Sequence, residues 1–77
     1  MRGNLDKTST KILQLLREAA EPLETKEMET LLEETSLKEV TRIKVLYRLN
    51  LLRGDGLIKG KPVGSGKGTW IWWWKHG

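Results

Sequence analysis

The sequence predicts an α+β fold, a three-helix bundle followed by a C-terminal β-hairpin, on three observations. Apolar residues recur at helical spacing in three segments that end by Gly54. After "RGDG" the pattern changes to short runs rich in β-forming residues, "LIKGKPV" and "TWIWWWK". Between those runs lies "GSGKG", which is turn chemistry. A chain of 77 residues makes one domain and hides only about 60% of its unfolded surface, so each large side chain matters to the core.

In "TSTKILQLLREAA" the residues Ile12, Leu15, Leu16 and Ala19 share a helical face, with Leu13 beside them. The first helix is expected over residues 9 to 20, capped by Thr8 or Ser9. Glu21 and Pro22 then stop it, because proline lacks the backbone donor and disfavours helix at the residue before it. "LETKEMETLLEET" restarts a short, acidic helix with Thr25 as N-cap and an apolar stripe of Met28, Leu31 and Leu32.

Two starts compete for the third helix. Ser36 with Glu39 forms a capping box, whereas Val40 before Thr41, with Val45 four residues on, forms a hydrophobic staple for a later start. Either way "TRIKVLYRLNLL" is helical, and Gly54 after Arg53 is expected to end it. In "TWIWWWK" the strand period places Trp70, Trp72 and Trp74 on one face and Ile71 and Trp73 on the other. Three indoles on one side would overfill a small core. Of the two assignments, Ile71 and Trp73 are therefore expected inside and the three tryptophans partly exposed, under lysine stems or on a partner.

The order of elements and the residues "VLYRLNLLRGDGLIKGK…GKGTWIWW" resemble the winged helix-turn-helix family over residues 8 to 75. The family's Leu-x-x-x-Gly-Leu-Ile pattern, which turns the third helix into the first wing strand, is matched by Leu52, Gly56, Leu57 and Ile58. The resemblance implies a core of Val45, Leu49 and Leu52 with Leu57 or Ile58, packed on Ile12, Leu15 and Leu16 and on Leu31 and Leu32. It also implies duplex DNA as partner, with Arg42, Lys44, Tyr47 and Arg48 of the third helix at the major groove and Lys59, Lys61 and Lys67 of the wing on phosphates. Arg2, Lys7 and Lys11 are auxiliary contacts in this scheme. Residues 1 to 7 are expected to form a disordered or loosely ordered N-terminal segment, and residues 76 to 77 a tail.

The sequence departs from the family in two places. "EETSLKEV" is longer than the tight turn between helices two and three. With Val45, Leu49 and Leu52 inward, a step of about 100° per residue leaves Ile43, Tyr47 and Leu51 on the opposite face. That leftover apolar stripe suits a protein interface, with a homodimer or another protein, in which Trp70, Trp72 and Trp74 would join.

Charge divides unevenly along the chain. Residues 1 to 17 carry four bases and one acid, residues 18 to 39 eight acids and two lysines, and residues 40 to 77 eight bases and one acid. A basic half joined to an acidic segment suits a polyanion-binding face with a turned-away back, so the acidic second helix should point away from DNA.

Other chemistries fit poorly. A Walker-type loop ending at Gly66-Lys67 would need glycine at position 61 and a hydroxyl at 68, which are Lys61 and Gly68. Gly64, Gly66 and Gly68 suit a wing turn instead. There is no cysteine, the one histidine is the penultimate His76, and no nucleophile–base set stands out, so neither a metal, a cofactor, a small-molecule substrate nor an enzyme is expected. The longest apolar run is residues 70 to 74, far short of the roughly 20 a spanning helix needs, so a membrane is not expected and an intracellular location is. "RGD" at residues 53 to 55 reads as punctuation after a helix.

Overall fold

The computed structural model describes residues 7–35, 41–64 and 68–75. The elements run α1 (Lys7–Glu18), β1 (Leu23–Glu24), α2 (Thr25–Glu33), α3 (Arg42–Gly54), β2 (Ile58–Val63) and β3 (Thr69–Trp74). The antiparallel sheet has the order β1-β3-β2, so β3 is central and β2 is an edge strand that tolerates Pro62. Three helices pack on one face of this sheet around Ile12, Leu16, Met28, Leu32, Val45, Leu49, Leu52, Ile58 and Trp72. Leu15 and Leu57 flank this core and Leu31 is half-buried, so α2 buries the i, i+4 pair Met28 and Leu32.

Several boundaries differ from expectation for identifiable reasons. Thr8 and Ser9 lie inside α1 and do not cap it, and the helix ends at Glu18. Pro22 removes the backbone donor that would bond the Glu18 carbonyl. The chain then extends, and Leu23 and Glu24 pair with Trp72 and Ile71 of β3. This strand of two residues was not expected. It displaces the α2 cap by one residue: Glu24 is the N-cap, and its N–H donates to Glu27 Oε1 at 2.8 Å. Thr25, freed from capping, accepts a hydrogen bond from Trp72 Nε1 at 2.8 Å.

The later start of α3 is the observed one, with Thr41 Oγ1 accepting from the Lys44 N–H at 3.2 Å. Ser36, Glu39 and Val40 lie outside the described residues, as do residues 1 to 6, Gly66, Lys67 and His76. Gly54 is still helical, and the stop is Gly56, at φ +79°. There the Leu57 N–H bonds the Leu52 carbonyl and the Gly56 N–H bonds the Arg53 carbonyl, both at 3.0 Å. This pair of bonds is a Schellman closure. It gives the Leu-x-x-x-Gly-Leu-Ile pattern a physical basis: glycine takes the left-handed turn, and the flanking residues Leu52 and Leu57 join the core and its margin.

The tryptophan strand faces the other way from the assignment preferred on volume. Trp72 is fully buried, Trp70 and Trp74 pack against the core, and Ile71 and Trp73 lie on the opposite face. Room for the indoles comes from the partner strand. Gly60 stands across from Trp72, and a Cβ at Gly60 would lie 2.4 Å from Trp72 Cε3. The Trp72 ring thus covers a site that only glycine leaves open. Trp70 stacks on Trp72 with centroids 5.3 Å apart. The two outer rings are covered by guanidinium groups, Arg53 over Trp70 at 5.3 Å and Arg17 over Trp74 at 5.5 Å. Arginines, not lysine stems, finish the edges of the row.

Candidate nucleic-acid interface

Helix α3 has two faces of unlike chemistry. Val45, Leu49 and Leu52 are buried against the other elements. The opposite face carries Ile43, 81% exposed, and Tyr47, 59% exposed, with Leu46 and Leu51 also exposed on its margins. Ile43, Tyr47 and Leu51 are four residues apart and form a continuous apolar stripe. Lys44 and Arg48 flank it one turn apart, and the Arg48 guanidinium lies 5.6 Å from the centre of the Tyr47 ring.

On the wing side of the helix, Arg42 and Leu46 line a recess with Glu24, Thr25, Thr69 and Trp70. The N-terminal half of α3 is therefore adjacent to the start of β3, where the hairpin turn delivers the chain. Gly64 and Gly68, at φ +77° and +68°, flank that turn as expected of a wing.

The acidic helix does not turn wholly away from this surface. Arg42 Nε donates to Glu29 Oε1 of α2 at 3.1 Å, so the first arginine of α3 shares its charge with the neighbouring helix. An exposed pair of this kind contributes about 0–1 kcal/mol, small enough for a competing phosphate to replace Glu29.

The structure brings Arg42, Ile43, Lys44, Tyr47, Arg48 and Leu51 together on α3 but separates them from Lys59 and Lys61. Those lysines alternate with Ile58 and Gly60 and so project from the outer face of the sheet, beside Trp73 and Ile71. Lys67 lies outside the described residues. Trp72 is withdrawn from any interface by its complete burial, and Trp70 and Trp74 are committed in part to the core. Leu46 and Arg53 belong to the α3 surface but were not singled out from sequence. Leu46 was findable, because it is one helical turn from Ile43 and from Asn50; Arg53 was not, because its position over Trp70 depends on the facing of β3. Among the described residues no helix is long and apolar enough to cross a membrane, and no cluster of His, Cys, Asp or Glu could hold a metal ion.

The fold has a counterpart among solved structures. The chain is similar to a structure of HOP2 from work on its DNA recognition and protein interaction domains and its homologous DNA pairing properties, with a TM-score of 0.71 and 25% identity. The match covers 87% of this chain and 97% of that one. Three helices on a small antiparallel sheet are thus a winged-helix arrangement in both. No family model matches the chain, and no curated protein does.

Proposed function

We propose that the chain is a DNA-binding winged-helix module, without catalytic activity, that lays the exposed face of α3 in the major groove of duplex DNA. The observation that carries this reading is the likeness to HOP2, which spans nearly all of that chain. The α3 face supplies the chemistry. Lys44 and Arg48, with Arg42 once released from Glu29, suit phosphates and base acceptors; the Tyr47 hydroxyl suits a phosphate; and Ile43 and Leu46 suit thymine methyl groups.

The test is a duplex titration at about 50 mM and about 200 mM salt. With three phosphate contacts the slope of log K against log salt is about −2.7, a loss of roughly fortyfold across that range. The double variant Lys44→Ala/Arg48→Ala should flatten the slope by about 2. Binding that is absent or indifferent to salt would reject the duplex reading.

A second reading rests on the exposure of Ile43 and Tyr47, which leaves a long apolar stripe in water. In it the stripe is where a second copy of the chain docks. Sedimentation should then show a dimer that Tyr47→Ala/Leu51→Ala converts to monomer. A wild-type chain that sediments as a monomer excludes this reading and leaves the stripe to DNA.

A further inference from the structure

The outer face of the sheet is a second surface, turned away from the helices. Strand pairing sets Lys59 beside Trp73 and Lys61 beside Ile71, so each cation stands next to an aromatic or aliphatic group on the neighbouring strand. Both lysines are exposed, while Trp73 and Ile71 are half-buried. The partner strand β1 covers β3 only at Ile71 and Trp72. At the margin of this face a groove of about 370 Å³ opens between β3 and the C-terminal end of α1 with the turn after it, lined by Leu16, Ala19, Pro22, Lys61, Ile71 and Trp73. Arg17 and Glu21 also line it, and among the described residues Glu21 is its only acid.

We propose that this outer face binds single-stranded nucleic acid, with an unstacked base against Trp73 in the groove and the backbone phosphates on Lys59 and Lys61. Three features favour that occupant. A groove of this size falls in the range of about 300–1,000 Å³ typical of small-ligand pockets, and its walls are mostly apolar with a few charged groups, Arg17, Glu21 and Lys61. The two lysines are two residues apart on one strand, about 6.8 Å, comparable with the step between phosphates of an extended single strand. Base-on-aromatic stacking beside a basic track is the general means by which proteins hold unpaired strands. A duplex cannot use the groove, because its bases are stacked on one another. The surface shares no residue with the α3 face, so this proposal stands whether or not α3 binds a duplex.

The experiment measures fluorescence anisotropy of labelled oligothymidylate and oligouridylate with the full chain at low salt. Wild type should bind at least one of the two, and whichever binds tighter identifies the strand as DNA or RNA. Trp73→Ala should weaken binding by about tenfold or more, and Trp73→Phe, which keeps a ring, should restore most of it. Lys59→Glu/Lys61→Glu, both at exposed positions, should weaken binding and flatten its salt dependence, which keeps the test open if Trp73→Ala fails to fold. Lys44→Ala/Arg48→Ala should leave oligonucleotide binding unchanged. The proposal is overturned if neither oligonucleotide binds the wild type, as would follow if a protein segment filled the groove. It is equally overturned if the lysine pair has no effect, or if binding is lost with the α3 variant.

Discussion

Trp72→Ala is expected to remove a large share of the domain's stability. A domain of 77 residues has roughly 4–12 kcal/mol of stability at about 0.05–0.15 kcal/mol per residue. Removing a buried tryptophan costs about 3–5 kcal/mol, through lost burial and the cavity left behind. Trp72 is the largest fully buried side chain and packs with residues from all three helices and from β2. Collapse into the vacated space is hindered, because Trp70 and Trp74 are held at the margins under Arg53 and Arg17. Urea denaturation followed by far-ultraviolet circular dichroism measures the loss, and a drop of under about 1 kcal/mol would contradict the packing described. Thr25→Val separates the polar part of the effect: it removes the acceptor of the Trp72 N–H while keeping shape, and should cost about 1–3 kcal/mol by leaving that donor unpaired.

Gly60→Ala should be the more damaging of two changes that look alike on paper. Its Cβ would sit 2.4 and 2.7 Å from Trp72 Cε3 and Cζ3. The obstacle is a buried ring, not the end of a flexible chain, so either β2 moves off β3 or Trp72 leaves its position. Overpacking of this kind costs about 1–3 kcal/mol, and the rigidity of the ring places the result near the top of that range. In a domain this size each kcal/mol lowers Tm by about 4–8 °C. Gly54→Ala is the control. That glycine is helical with nothing within 4 Å of an added Cβ, so alanine should be neutral or stabilising by up to about 1 kcal/mol. Equal melting of the two variants would refute the close approach of Gly60 and Trp72.

These two residues also show where sequence reading reached its limit. Strand periodicity grouped Trp70, Trp72 and Trp74 correctly, since alternation is a property of the backbone alone. Which group faces the helices depends on free volume, and that volume is supplied by Gly60, a residue on another strand that pairs with Trp72 only through the hairpin register. Indole volume alone does not reveal the glycine that accommodates it. By contrast, the inward face of α3 and the turn into the wing were legible, because each follows from residues within one or two helical turns, whereas the caps left two starts for α3 open. Strand β1 was not legible: two residues have no period. Its formation moved the α2 cap from Thr25 to Glu24 and so hid the true partner of Thr25.

For the candidate site the outcome divides the same way. The composition of the α3 face was legible from the helical step, and burial of Val45, Leu49 and Leu52 fixed its direction. The wing lysines Lys59 and Lys61 do not share that face. Placing Lys59 and Lys61 requires knowing which side of the sheet meets the helices, the one fact the tryptophan pattern left open.

The bond between Trp72 and Thr25 joins residues 47 positions apart. The centre of the core is therefore supplied by β3, which follows all three helices along the chain. Helices α1, α2 and α3 emerge first with their apolar faces turned towards a space that nothing yet fills. Closure waits for a contact of long sequence separation, which slows folding relative to a plain helical bundle. Until β3 arrives, the apolar faces of the nascent helices stay exposed to aggregation.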